Sequence, residues 1–364
     1  MSITEAGVRA ALESFVEPYL RQSLGQVGAL RAVELHAADR VLAKIELGFP
    51  TVGYAHSLQS ALQQHLASAG FRVELTLELS SRIVPHAVQR SLKPLAGVKN
   101  IVAVASGKGG VGKSTVAANL ALAWAAGGAD VGILDADIYG PSQPLMLGLS
   151  GQRPSSPDGK RILPLKAYDL RVMSIGFLVD PAQAVVWRGP MVTQALTQLL
   201  GDTDWGDLDY LVVDMPPGTG DIQLTLAQRV PVAGAIIVTT PQDIALADAR
   251  KGVAMFEKVS IPVLGIIENM SVHVCSHCGH ADHIFGSGGG ARMAAEFGVP
   301  LLGELPLDAR IQREADGGRP SVVAEPDSAR AQAYIEAARH SAAALANRTR
   351  DRSALFPKIV VEDT

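Results

Sequence analysis

The sequence predicts an α/β protein: a mostly parallel sheet covered by helices on both faces, preceded by a small α+β domain. Three observations predict it. From Ile101 onward, continuous apolar runs ending in polar or Gly/Pro residues are separated by helical stretches. A glycine-rich loop joins the first of these runs to a helical run. Ahead of residue 80, one run instead alternates strictly between apolar and polar. With 48% apolar and 19% charged residues, the chain can bury a sizeable core and carries too little charge for disorder. Its 364 residues suit two to three domains.

Residues 1–80 read as the small α+β domain. Val8, Ala11, Leu12, Phe15, Val16, Tyr19 and Leu20 share one helical face, and Pro18 must bend or end that helix early. Ala32–Ala37 and Val41–Leu47 are short strand candidates around the turn-prone Asp39. Leu58, Leu62, Leu66 and Ala69 mark a second helix. Phe71, Val73, Leu75, Leu77 and Leu79 then alternate with Arg72, Glu74, Thr76 and Glu78, as in a strand with one face buried and one wet. The order is α-β-β-α-β. Residues 81–98, with Pro85, Pro94 and Gly97 and no clear period, read as a linker. A tail, 348–364, starts charged and ends FPKIVVEDT.

Residues 99–347 carry the sheet. IVAVAS (101–106), VGILDAD (131–137), YLVVDMP (210–216), AIIVTTP (235–241), VLGIIENM (263–270) and LLGELP (301–306) are apolar without alternation. Strands of that kind, separated by helices, belong to a parallel sheet covered on both sides.

Gly107-Lys108-Gly109-Gly110-Val111-Gly112-Lys113-Ser114-Thr115 follows the first run and fits G-x-x-x-x-G-K-[ST], the phosphate loop of P-loop NTPases. Glycines let the backbone curl so that successive N–H groups face phosphate oxygens, and the helix N-terminus adds partial positive charge. Lys113 can reach the β- and γ-phosphates of ATP, and the Ser114 hydroxyl can ligate Mg²⁺. Asp135 and Asp137 close the second strand and Asp214 the third. Functional groups in open α/β sheets gather at the carboxyl ends of strands, and Mg²⁺ takes few carboxylates while keeping waters. Asp214 is therefore assigned as the Walker-B-type group, Asp135 to the edge of the Mg²⁺ shell, and Asp137 to orienting the attacking water. The plain alternative for a strand-end Asp is a cap or turn former. Met215-Pro216-Pro217-Gly218-Thr219-Gly220-Asp221 is a shaped loop able to move when a phosphate leaves. Asn269 ends the fifth strand and can donate and accept in one plane, which suits an adenine edge; a turn residue is the alternative.

The two cysteines, Cys275 and Cys278, lie three positions apart in SVHVCSHCGHADHIFG, together with His273, His277, His280 and His283. Such a pair can bind a soft metal or cycle as a dithiol. An iron–sulfur cluster normally takes four cysteines. The residues thus leave three readings open: a cluster shared between two chains, a zinc site, or an inert pair. A disulfide framework is excluded, and a reducing cytoplasm is the expected compartment.

The formal net charge of −4 argues against a main role in gripping nucleic acid or an anionic membrane. The uncharged, mostly apolar stretch Ser114 to Ala129 is shorter than a membrane span. The opening MSITEAGVRAALE lacks the basic-then-apolar order of a secretory signal.

GKGGVGKST (107–115), LDADIYGPSQP (134–144), WRGPM (187–191), DMPPGTGD (214–221), TTPQD (239–243), ENMS (268–271) and the C-x-x-C occur together and in order. This set resembles the Mrp/ApbC family of P-loop iron–sulfur cluster carrier ATPases, within the deviant-Walker, MinD/ParA-like superfamily. The resemblance covers about residues 98–345. It implies a homodimer in which Cys275 and Cys278 of both chains bind a bridging [4Fe–4S] cluster, delivered to apo iron–sulfur proteins with cluster-assembly factors as partners. It implies slow ATP hydrolysis that times transfer, with Lys108 reaching the partner's nucleotide. Lys108, Lys113 and Asp137 are then the catalytic residues. The N-terminal unit is similar to a small domain associated with iron–sulfur assembly, although it holds no cysteine here. The family assigns the four histidines no role, and a solvated or capping role is expected of them. Two alternatives are a positioning ATPase acting on membrane or DNA, against which the acidic chain and its proline- and acid-bearing end argue, and an ATPase with a structural zinc site.

Overall fold

A computed structural model of the chain describes residues 3–36, 39–89, 92–178, 189–275 and 277–348. The N-terminal part runs α1 (Glu5–Ser14), the short strands β1 (Val16–Glu17) and β2 (Gln22–Ser23), β3 (Leu30–Leu35), β4 (Arg40–Leu47), α2 (Ala55–Ser68) and β5 (Glu74–Ser81). The anticipated order is present, with the β1–β2 hairpin added. α1 stops at Ser14, ahead of Pro18, because Phe15 takes extended backbone and turns its ring into the core. β4 pairs antiparallel with β3 and parallel with β5. Leu58, Leu62 and Leu66 of α2, spaced one turn apart, are buried. Ala37, the expected end of a strand, lies outside the described residues.

The larger part comprises β6 (Val98–Ala105), α3 (Lys113–Ala126), β7 (Val131–Asp135), α4 (Gln143–Met146), β8 (Leu165–Ala167), β9 (Leu170–Ser174), α5 (Gly189–Asp202), β10 (Leu208–Asp214) and α6 (Asp221–Arg229). It continues through β11 (Gly234–Thr239), α7 (Asp243–Lys258), β12 (Val263–Glu268), β13 (His273–Val274), β14 (Ala281–Asp282), α8 (Gly289–Phe297), β15 (Leu301–Glu304), α9 (Ala309–Asp316), α10 (Ser321–Ala324) and α11 (Ala329–Ala346). Eight strands form one sheet in the order β15-β12-β11-β6-β10-β7-β9-β8. Every neighbouring pair is parallel except β8 with β9 at one edge. All six predicted runs are strands of this sheet. The segment predicted to link the two parts is packed in places: Ile83 and His86 are buried, and Asn100 of β6 accepts from the His86 backbone N–H at 3.1 Å. Trp187 and Arg188 of the WRGPM motif, Ser276 of the C-x-x-C, Arg90, Ser91 and the tail from residue 349 lie outside the described residues.

β7 and β11 are buried at every position, as a sheet covered on both faces requires. α3 is apolar nearly all round because it is sandwiched between the sheet and α11, where the Trp124 indole N–H donates to the Ala338 carbonyl at 2.8 Å. One hydrophobic core runs without a break from the N-terminal sheet into the large one. α11 is the shared wall: the Tyr19 hydroxyl donates to Glu336 at 2.7 Å, and the Arg339 guanidinium sits 5.4 Å over the Tyr54 ring.

Candidate nucleotide site and cysteine hairpin

The register of the central strands builds the site. Asp214 of β10 pairs with Val104 of β6 on one side and Asp135 of β7 on the other. The phosphate loop leaves β6 at that same end, so loop and carboxylates converge.

Gly110 and Gly112 both take left-handed backbone at φ 82°, which side chains resist, and Gly112 turns the loop into α3. A Cβ on Gly110 would meet nothing within 4 Å, leaving a concave side open to phosphate. Gly107 is glycine for a different reason: a Cβ there would lie 2.2 Å from the Asp248 backbone of α7. The Ser106 hydroxyl donates to the Lys108 carbonyl at 2.9 Å, and the Gly218 N–H donates to Ser106 at 3.0 Å. The 215–221 loop is thereby tied to the phosphate loop.

Lys113 is buried and ion-paired with the fully buried Asp214, and its ammonium also donates to the Ser114 hydroxyl at 3.1 Å. Gln143 completes the group, donating to the second Asp214 oxygen at 2.9 Å and to the Ser114 carbonyl at 3.0 Å. Asp135 accepts from the Ser142 and Gln143 N–H groups at 2.9 and 3.1 Å, from the Asp137 N–H at 3.2 Å and from the Ser174 hydroxyl at 3.1 Å. Burial and the adjacent Asp214 carboxylate push the Asp135 carboxyl up, against the backbone N–H donors and the Lys113 ammonium, which lower it. Asp137 is half-buried and accepts weakly from the Gly140 N–H at 3.3 Å; burial raises its carboxyl while Lys113 lowers it. The structure therefore brings together Lys113, Ser114, Asp135, Asp137 and Asp214. Gln143 and Ser174 were missed by sequence reasoning. The one signal for Gln143 was its place in the conspicuous GPSQP stretch after the second strand.

The donor set fits magnesium with nucleotide phosphates. Two carboxylates and a hydroxyl meet beside the loop, and two buried oxygens there, Gln143 Oε1 and Ser142 Oγ, have no hydrogen-bond partner. A cavity of about 630 Å³ adjoins the loop, walled in part by Gly112, Thr115, Asn269, Met270, His273 and Leu307. Asn269 stands on that wall, but its amide nitrogen donates to the Val111 carbonyl at 2.8 Å and so braces the loop. Lys108 is half-buried within the loop.

The cysteines sit at the tip of a small antiparallel hairpin, in which His273 pairs with Asp282 and Val274 with Ala281. The Cys275 N–H donates to the His280 carbonyl and the Gly279 N–H to the Cys275 carbonyl, both at 2.9 Å, with Gly279 in left-handed backbone. This curl aims the His277 and Cys278 N–H groups at the Cys275 sulfur; with the Cys278 thiol they hold Cys275 below the ordinary thiol range. Cys278 is exposed. His273 and His283 instead point back into the protein, each donating from Nδ1 to a backbone carbonyl, Leu307 at 2.9 Å and Ser271 at 2.7 Å. Among the described residues, no three His, Cys, Asp or Glu side chains converge to hold a metal ion. The hairpin thus presents two thiols and no complete tetrahedral set.

The chain is similar to several known proteins. The chain is 62% identical over 263 residues to an iron–sulfur cluster carrier protein of Pseudomonas fragi, spanning 72% of this chain and 92% of that one. It is 50% identical over 344 residues to the Escherichia coli iron–sulfur cluster carrier protein, spanning 93% and 92%. It is 52% identical over 248 residues to the mouse iron–sulfur cluster transfer protein NUBPL, spanning 68% and 77%. A nucleotide-binding protein of Archaeoglobus fulgidus, solved with ADP and with cobalt, superposes with a TM-score of 0.57 at 38% identity, over 64% of this chain and 90% of that one. The model of the NUBPL iron-transfer P-loop NTPases matches residues 97–342, and the chain belongs to that family.

Proposed function

We propose that this protein is an ATP-binding carrier that holds a [4Fe–4S] cluster between two subunits, Cys275 and Cys278 of each supplying the four thiolates, and delivers it to apoproteins. The observation that carries this reading is the hairpin itself. It offers two thiols, one exposed and one held toward thiolate by backbone N–H groups, and no third ligand beside them among the described residues. Two such tips facing each other make the set a cubane takes. The names of the relatives support the cargo.

ATP binds with its phosphates in the 107–115 loop and its base in the adjoining cavity. Ser114, with Asp214 and Asp135 beside it, would hold magnesium, which would supply charge neutralisation at the phosphates. Lys113 then leaves Asp214 for the β- and γ-phosphates. Asp137 orients the attacking water, and Lys108 reaches the partner's nucleotide. Hydrolysis is slow and times cluster transfer, through the 215–221 loop tied to Ser106. The working compartment is a reducing cytoplasm.

Anaerobic reconstitution followed by iron, sulfide and solution-mass analysis tests the proposal. About four iron and four sulfide per dimer are expected, falling to background in Cys275→Ala/Cys278→Ala. A fully loaded monomer, or one zinc per chain without sulfide, would overturn it.

A further inference from the structure

The cysteine hairpin is rooted in the wall of the base cavity. Residues 271–273 run alongside 305–307. The Ser271 N–H donates to the Leu305 carbonyl at 2.9 Å, and the Leu307 N–H donates to the Val272 carbonyl at 2.8 Å. His273 Nδ1 closes this ladder on the Leu307 carbonyl at 2.9 Å. The returning leg is fastened to the same place, since His283 Nδ1 donates to the Ser271 carbonyl at 2.7 Å. Beyond it, the buried Glu268 accepts from the Gly290 N–H at the start of α8. Met270, His273, Ile284 and Leu307, drawn from both legs and from the facing strip, all line the cavity. Cys275 follows His273 by two residues.

We propose that His273 is a positioning residue that transmits occupancy of the base cavity to the thiols, so that an adenine nucleotide restrains the cysteine hairpin through its base end. This deepens the proposed function and rests on its placement of the base in that cavity. Strands of two residues hold little order by themselves, so the hairpin depends on the ladder at its root. A base packed on His273, Ile284 and Leu307 stiffens that ladder, and a ligand that orders one part of a protein lowers the cost of ordering the next. The route differs from one through the γ-phosphate and the 215–221 loop, because it operates equally with ADP.

The chain has two cysteines, both in this hairpin, so thiol labelling of the cluster-free protein reads the hairpin directly. Iodoacetamide labelling is compared without ligand, with saturating ADP, and with inorganic tripolyphosphate, which offers phosphates but no base. Saturation is verified by fluorescent-nucleotide titration for each variant. Saturating ADP is expected to slow labelling about fivefold, within the usual range of coupling between sites, while tripolyphosphate leaves the rate unchanged. His273→Ala loses the ADP effect. His273→Asn, whose amide can donate to the Leu307 carbonyl from a similar position, restores it. Equal protection by tripolyphosphate, protection that survives His273→Ala, or bound ADP with unchanged labelling overturns the coupling. Absence of ADP binding overturns the nucleotide reading of the cavity itself.

Discussion

Lys113 is the side chain on which the phosphate site turns, because among the described residues its ammonium is the only cation set against two buried carboxylates on adjacent strands. Asp214 takes the ion pair and Asp135 lies beside it in register. Removing the ammonium leaves Asp214 charged and dry, with Gln143 as its remaining donor. Breaking a buried pair by removing one partner typically costs about 3–5 kcal/mol. Lys113→Ala should destabilise the nucleotide-free chain by that order in urea unfolding. Lys113→Ala/Asp214→Asn should recover much of the loss, since a neutral amide needs no counter-ion. If the double variant is no more stable than the single one, the pair is not what the lysine stabilises. Gln143 shows why such detail escapes a linear reading. Its partners, Ser114 and Asp214, lie 29 and 71 positions away, and only the sheet register brings them together.

At the scale of elements, the glycines of the phosphate loop separate into two physical classes, and their substitution should separate the same way. Gly107 abuts α7 backbone, which cannot rotate aside, so Gly107→Ala forces the loop and helix apart at about 1–3 kcal/mol or more. Gly110 faces open space and suffers only from its left-handed backbone, about 1–2 kcal/mol. Gly109 meets only a Pro217 carbon at 4.0 Å, so Gly109→Ala should leave the melting temperature of the nucleotide-free protein nearly unchanged. Thermal melts of the three variants check the order 107, 110, 109; a Gly109 variant as damaged as the Gly107 one would contradict it. The same packing logic decided which elements the sequence revealed. Strands buried on both faces, such as β11, announce themselves as unbroken apolar runs. β8 and β9 did not, because they are short and meet at Tyr168-Asp169, both in left-handed backbone without the glycine that usually marks such a turn. The C-x-x-C was legible as a metal or redox motif. The hairpin that curls its N–H groups toward Cys275 was not, since strands of two residues carry no periodicity.

For the whole molecule, the docking of the N-terminal sheet on α11 makes stability depend on pH through one imidazole. His340 lies half-buried with its ring 4.9 Å from that of Tyr19, at the seam between the two parts. Burial holds its pKa below the ordinary histidine value; Glu336 raises it and Arg21 lowers it. An unfolded histidine titrates near 6.5, so between that value and the lower folded one the unfolded chain binds more protons. The contribution of neutral His340 is therefore fully present above about pH 6.5 and is lost as pH falls through that window toward the folded pKa. The raised Asp135 carboxyl acts in the opposite sense, since a folded state that holds a proton more tightly gains stability on acidification. A comparison of the parent alone would mix the two. The informative quantity is the change in urea midpoint between pH 7.5 and pH 5.5 in the parent minus that in His340→Gln, which leaves Asp135 untouched. The parent should lose more stability on acidification than the variant, at no more than about 1.4 kcal/mol per pH unit for a single proton. Identical changes in the two proteins would show that the seam between the N-terminal sheet and α11 does not sense acid through His340.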